Sequence, residues 1–251
     1  GPGNMAIEYE EPVMRDLIAV EHKGAVNLVT EADLAAEEWI VARIRREYPS
    51  HAILAEEKHN RETEAEVRWI IDPLDGTTNY AHGYPAFSVS IGLEAGGILE
   101  WGAVFDPVRD ELFTGRRGCG AFCNGAPLRV SSVPSLDTSL LATGFPYDIR
   151  TDARTNLENF CAFAVRTQGI RRSGSAALDF CAVAGGRLDG FWEIKLNPWD
   201  CAAGYLIVRE AGGTVTNFGG RFGSIYDREV VASNGRILGD FLAVLNETSS
   251  G

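Results

Sequence analysis

The chain has 251 residues, 45% of them hydrophobic and 23% charged, with a formal net charge of −12. That length and apolar content support the core of one large or two ordinary domains, and exclude a disordered or fibrous protein. The negative charge would repel a nucleic-acid backbone unless metal ions or a local basic patch intervened, so nucleic acid is not expected as the main partner.

The opening Gly1-Pro2-Gly3-Asn4 reads as an expression scar, being neither basic nor apolar enough for a signal peptide. Between residues 33 and 48, Leu34, Trp39, Ile40, Ile44 and Tyr48 recur at near-helical spacing among Glu and Arg, which predicts an amphipathic helix ended by Pro49. Ala52-Ile53-Leu54 reads as a short strand running into Glu56-Glu57, residues 62–68 as a charged surface segment, and residues 67–71 as a strand. Alternation at Phe87, Val89, Ile91 and Leu93, a turn at Ala95-Gly96-Gly97 and a return over 98–105 predict an antiparallel hairpin, with more sheet at 111–114. The Ser-rich stretch 131–139 sets a boundary near residue 135, between an N-terminal α+β half (5–135) and a C-terminal α/β half (136–251). In the second half a strand at 139–143, helices at 154–165 and 176–184, a strand at 190–192 and a helix at 200–211 follow one another as in an α/β layer.

Apolar runs such as 140–142 and 206–208 fall short of the roughly 18–20 residues that span a bilayer, so no membrane anchor is expected. Cys119, Cys123, Cys161, Cys181 and Cys201 are scattered without a CxxC pair. This pattern suits free thiols in a reducing cytoplasm and disfavours zinc. The four histidines, His22, His51, His59 and His82, stand outside every motif, so neither a phosphohistidine nor a Ser-His-Asp mechanism is suggested.

The stretch Trp69 to Tyr80, WIIDPLDGTTNY, holds the densest chemistry. Pro73 fixes its own φ and pushes Asp72 into extended backbone, so Asp72 is expected at the end of the strand. A tight turn through Leu74-Asp75-Gly76 would then bring the carboxylates of Asp72 and Asp75 towards one point, with the Leu74 carbonyl beside them. Carboxylates so placed repel unless a cation lies between them, and all-oxygen ligands suit Mg²⁺ or Mn²⁺. Gly76 lets backbone N–H groups approach an anion, and Thr77-Thr78 can open a short helix whose dipole adds to the cradle. The plainer alternative is a polar turn in which both Asp side chains accept bonds from nearby N–H groups. An EF-hand is excluded, since the D-x-D-x-D-G spacing is absent.

DPLDGTTNY closely resembles the signature of the inositol monophosphatase family of Mg²⁺-dependent, lithium-sensitive phosphatases. A second family-like motif, Pro198-Trp199-Asp200-Cys201-Ala202-Ala203-Gly204, precedes Glu210-Ala211-Gly212-Gly213, and similar text occurs at 27–33, 48–51 and 169–177. The resemblance covers roughly 23–235, with most of the family's first helix short or missing. It implies a layered α-β-α-β-α sandwich of the sugar-phosphatase type, shared with fructose-1,6-bisphosphatase, with the site between the halves. It also implies two or three Mg²⁺ per site, replaceable by Mn²⁺. Glu56, Asp72 and the Leu74 carbonyl would hold the first, and Asp72, Asp75 and Asp200 the second. The family commonly has Gly before the Glu-Glu pair, where this chain has Ala55. A metal-activated water would attack phosphorus directly, with Thr77 and Asp33 orienting it and Glu56 completing the catalytic set. Asp75, Gly76, Thr77, Gly174, Ser175, Ala176 and Glu193 would bind substrate, and Lys23 would approach the phosphate.

Each assignment has an ordinary alternative: Asp33 as a solvated helix residue, Asp200 as a plain N-cap, Lys23 as a surface cation, and Glu193 with 174–176 as structural strand and loop. The resemblance implies hydrolysis of a small phosphate monoester, first of all myo-inositol 1-phosphate, by a cytoplasmic homodimer. Fructose 1,6-bisphosphate, histidinol phosphate and nucleotide phosphates are alternative substrates on the same scaffold. A regulatory binding protein that keeps the fold is the alternative of another class.

Overall fold

A computed structural model describes residues 28–59 and 65–249; His22 and Lys23 lie outside them. Helix α1 (Leu28–Glu47) starts before residue 33 and ends ahead of Pro49, where the proline was expected to stop it. Its buried face, with Ile40, Val41 and Ile44, packs onto Trp69, Ile71, Ile91 and Leu93 of the first sheet.

That sheet has seven strands in chain order: β1 (Ala52–Ala55), β2 (Val67–Asp75), β3 (Ser88–Ala95), β4 (Ile98–Asp106), β5 (Glu111–Arg116), β6 (Gly120–Cys123) and β7 (Ala126–Pro127). Strand β1 runs parallel to β2, and all later pairs are antiparallel. The one-turn helix α2 (Thr77–Ala81) follows β2. A second sheet contains β8 (Leu140–Thr143), β9 (Gly169–Arg171), β10 (Gly190–Ile194), β11 (Thr214–Thr216) and β12 (Glu229–Ser233), in the order β11-β12-β10-β8-β9. Helices α3 (Leu157–Ala164), α4 (Ala176–Ala184), α5 (Pro198–Glu210) and α6 (Leu238–Ser249) follow among the described residues.

Three apolar clusters define the layering. The first joins α1 to one face of the seven-stranded sheet. The second fills the space between the sheets, where Phe180 of α4 and Cys201 to Val208 of α5 meet Ile70, Val104 and Phe113 on one side and Phe191, Val230 and Ala232 on the other. The third puts Phe163 of α3 and Phe241 and Leu245 of α6 on the outer face of the second sheet. The result is the expected α-β-α-β-α sandwich. Among the described residues, no helix is long and apolar enough to cross a membrane.

Helix α5 lies close to the first sheet because the sheet offers a row of glycines. Gly92, Gly102 and Gly115 face one another across β3, β4 and β5. A Cβ on Gly92 would stand 2.6 Å from Ala202 Cβ, one on Gly102 2.8 Å from Ala203 Cα, and one on Gly115 3.2 Å from Ile207 Cα. Two expectations are corrected here. Strand β2 runs on to Asp75 instead of ending near Ile71, and Asp200 is not the N-cap of α5 but lies inside it, with Asn197 as the cap.

Candidate active site

In a regular strand, residues three apart point to opposite faces. Asp72 and Asp75 escape this because β2 carries an irregularity between them: Asp72 pairs with Ser90 and Asp75 with Ser88, so three steps on β2 oppose two on β3. One extra residue restores the parity and brings both carboxylates to the same side. Pro73 costs little there, since a bulge needs no ladder donor from it. The expected tight turn is therefore a bulged strand end, and the turn itself comes at Gly76, whose φ is 91°. A Cβ at Gly76 would meet the Ala86 carbonyl oxygen at 2.9 Å and that of Gly174 at 3.1 Å. Only glycine fits.

Asp75 is the most heavily bonded residue of the motif. Its Oδ2 accepts from Ser175 Oγ (2.5 Å), Ala177 N–H (2.9 Å) and Ser88 Oγ (3.4 Å), and its Oδ1 from Ala176 N–H (3.3 Å). A carboxylate at the N-terminus of α4 thus binds the first half of the chain to the second, satisfying N–H groups that the helix itself leaves free. Asn79 adds a second clasp, donating from Nδ2 to the carbonyls of Ala86 (2.7 Å) and Ser173 (2.8 Å). Asp72 Oδ1 accepts from Leu74 N–H at 3.0 Å, so the polar-turn alternative is realised in part. Thr77 Oγ donates to the Leu74 carbonyl at 3.0 Å.

These residues open onto a cavity of about 280 Å³ lined by Glu56, Asp72, Leu74, Asp75, Gly76, Thr77, Gly174, Ser175, Ala176, Glu193 and Asp200. Among the described residues, every site residue predicted from the sequence is there except Asp33. Asp33 is buried on α1, and its Oδ1 has no hydrogen-bond partner among the described residues.

The electrostatics are those of crowded acids. Burial, with the Glu57 carboxylate, pushes Asp33 up to about 7. Glu56 also rises to about 7 through burial and the charges of Glu57, Asp75 and Asp33, although it shares a hydrogen bond with Asp72. Asp72 is held well above the usual carboxylate range by burial and by Glu56, Asp75 and Asp200. Asp200 reaches about 8 through burial, despite the bond from Asn197 N–H to its Oδ2 at 2.7 Å. Glu193 is raised strongly by burial and by Asp179 and Asp200.

An all-oxygen, multiply acidic set of this kind is what a hard divalent cation requires. The donors match in type and charge. Among the described residues, however, no three acidic, His or Cys side chains are yet drawn around one point.

The sequence reading missed the other wall. Phe145, Tyr147, Asp148, Arg172, Asp179, Lys195 and Arg228 also line the cavity. Lys195, with φ at 62°, bonds both Asp148 oxygens at 2.8 Å and lies 3.0 Å from Asp152, which ties down the segment after β8. Asp179 is buried in α4, raised to about 8 by burial, and accepts from Ser173 Oγ at 2.8 Å. An acid in the otherwise apolar run of α4 was the available signal. Nothing in the sequence marked residues 145–148.

The model of the inositol monophosphatase family matches residues 4–250, beyond both ends of the 23–235 span that the motifs suggest. The Nus factor SuhB of Escherichia coli K12 is 45% identical over 99% of this chain and 92% of its own length. The inositol-1-monophosphatase of Synechocystis is 49% identical over 87% of this chain and 77% of its own. The solved inositol monophosphatase of Anabaena (Nostoc) sp. PCC 7120 superposes with a TM-score of 0.84 at 44% identity, covering 94% of this chain and 89% of that one.

Proposed function

The chain belongs to the inositol monophosphatase family, and from that premise we propose that it hydrolyses a phosphate monoester, with myo-inositol 1-phosphate as substrate and Mg²⁺ as cofactor. The observation that carries this reading is the bulge in β2, through which Asp72 and Asp75 face one cavity together with Glu56, Thr77, Glu193 and Asp200. Glu56, Asp72 and the Leu74 carbonyl would hold one ion, and Asp72, Asp75 and Asp200 another. Bound divalent cations would offset charge on the attacking and leaving oxygens and acidify the attacking water. Thr77 Oγ, which lines the cavity, would orient that water, with the buried Asp33 carboxylate behind it. Backbone N–H groups at Gly76 and Thr77 would receive the phosphate oxygens, and Glu193 would accept bonds from substrate hydroxyls.

Phosphate release tests the reading directly. With Mg²⁺ we expect turnover of inositol 1-phosphate above that of fructose 1,6-bisphosphate and glycerol 2-phosphate, restored by Mn²⁺ and inhibited by Li⁺. Asp75→Asn should lower turnover by about 10²–10³-fold, as loss of one preorganised charge does. The variant should also melt earlier, because Asp75 anchors α4. Turnover near that of wild type in Asp75→Asn would refute the metal assignment.

All five cysteines are unpaired, which supports a reducing, cytoplasmic location. A homodimer is proposed from the family resemblance and is open to light scattering. The relative from Escherichia coli is called a Nus factor. That name supports a second reading, a regulatory binding role beside catalysis. It predicts that a partner recovered with the wild-type protein is also recovered with Asp75→Asn.

A further inference from the structure

Glu37, on α1, is fully buried, and burying a carboxylate is costly unless hydrogen bonds compensate. Among the described residues its three bonds go to one short segment. Oε2 accepts from Glu57 N–H at 2.8 Å, Oε1 accepts from Lys58 N–H at 2.9 Å, and Oε1 lies 2.8 Å from His59 Nδ1. The segment is closed on itself by Ala55 N–H donating to the His59 carbonyl at 2.9 Å, and Arg45 Nη2 lies 3.0 Å from His59 Nε2.

Glu56 enters through the peptide planes on either side of it. Its own N–H donates to the Ile71 carbonyl at 3.3 Å, one residue before Asp72, so one plane is fixed by the strand that carries Asp72. The other plane contains the Glu57 N–H, which Glu37 holds. Both backbone torsions of Glu56 are therefore set from outside, φ by β2 and ψ by Glu37. Helix α1 thus reaches the site twice from one face, since Asp33 and Glu37 are four residues apart.

We propose that Glu37 is a positioning residue that aims the Glu56 carboxylate at the divalent cation by gripping the two N–H groups that follow it. The inference rests on the proposed metal site, and the experiment separates the two. A glutamine at 37 keeps one acceptor oxygen but turns an NH₂ towards an N–H donor, so Glu37→Gln loses one grip while preserving volume. Mn²⁺ affinity, measured by titration calorimetry without substrate, should weaken by roughly 10–100-fold, as for other groups that orient ligands. Half-saturating Mg²⁺ should rise in parallel, while KM for substrate at saturating Mg²⁺ stays near wild type.

Glu56→Gln is the reference. If it weakens Mn²⁺ binding and Glu37→Gln does not, the positioning role is overturned and the metal site stands. If Glu56→Gln binds Mn²⁺ as wild type does, both are overturned. Should Glu37→Gln fail to fold, Lys58→Pro removes the N–H that bonds Oε1, while Lys58→Ala keeps it. Weaker Mn²⁺ binding in the proline variant alone supports the proposal, and equal binding in the two overturns it.

Discussion

Asp33, Glu56 and Asp200 are held where the neutral acid is favoured, at about 7, 7 and 8 against ordinary values of 3.8, 4.5 and 3.8. The sign of the consequence follows from proton counting. Between about pH 4 and 8 the metal-free folded chain binds more of these protons than the unfolded chain, so its stability falls as pH rises through that window. The contribution is complete below the unfolded values and gone above the folded ones. A divalent cation reverses the balance by favouring the ionised forms. In chelator, the melting temperature should therefore drop from about pH 5 to about pH 8, and added Mg²⁺ should raise it much more at the upper end. An Mg²⁺ effect of equal size at both pH values would show that Glu56 and Asp200 do not face the ion. Asp200, like Asp72 and Asp75, was legible in the sequence because it lies in a motif, whereas Asp33 and Glu56 were reached only through the family resemblance. The bonding of Asp75 to α4 was not legible, since its partners are about a hundred residues away in the chain.

The site depends on where strands stop. Gly144 follows β8, and a Cβ there would lie 2.1–2.3 Å from the carboxyl atoms of Glu193 on the neighbouring β10. The backbone at this point is fixed, because Asn156 Nδ2 donates to the Gly144 carbonyl at 2.8 Å while Asn156 Oδ1 accepts from Trp192 Nε1 at 2.9 Å. Gly144→Ala would therefore move the end of the Glu193 side chain and leave the strands in place. If Glu193 bonds substrate hydroxyls, the variant should raise KM for inositol 1-phosphate by about 10–100-fold, the worth of a hydrogen bond to a charged group. An aryl phosphate, which lacks those hydroxyls, should be hydrolysed as before. Equal losses on both substrates would make Glu193 a structural residue. The sequence pointed to Glu193 but not to Gly144, whose requirement arises only when β8 and β10 are adjacent. For a related reason β9 and β11 were missed: strands of three residues have no room for an alternation to register. The long strands, the hairpin and α4 were read nearly as they stand, because each carries its own periodicity or punctuation.

Asp200 and Asp75 line one cavity although they belong to different layers. Asp200 rides on α5, whose height over the first sheet is set by the glycine row of β3, β4 and β5. Within the same layer α4 holds it from the side, since a Cβ on Gly204 would stand 2.5 Å from the Phe180 ring. Gly102→Ala would put its new methyl against the backbone of α5, 2.8 Å from Ala203 Cα, so the helix and not a side chain must give way. Overpacking of this kind costs about 1–3 kcal/mol. In a chain of this length that lowers the melting temperature by about 2–12 °C. Because the shift carries Asp200 with it, the Mg²⁺ concentration for half-maximal activity should rise as well. Gly239→Ala is the matched control: it lies in α6 with nothing within 4 Å of the added Cβ, so it should be neutral or slightly stabilising and leave the Mg²⁺ requirement unchanged. If Gly102→Ala melts with the control and needs no more Mg²⁺, the glycine row is not what sets the position of α5, and Asp200 must be held by the cap at Asn197 alone.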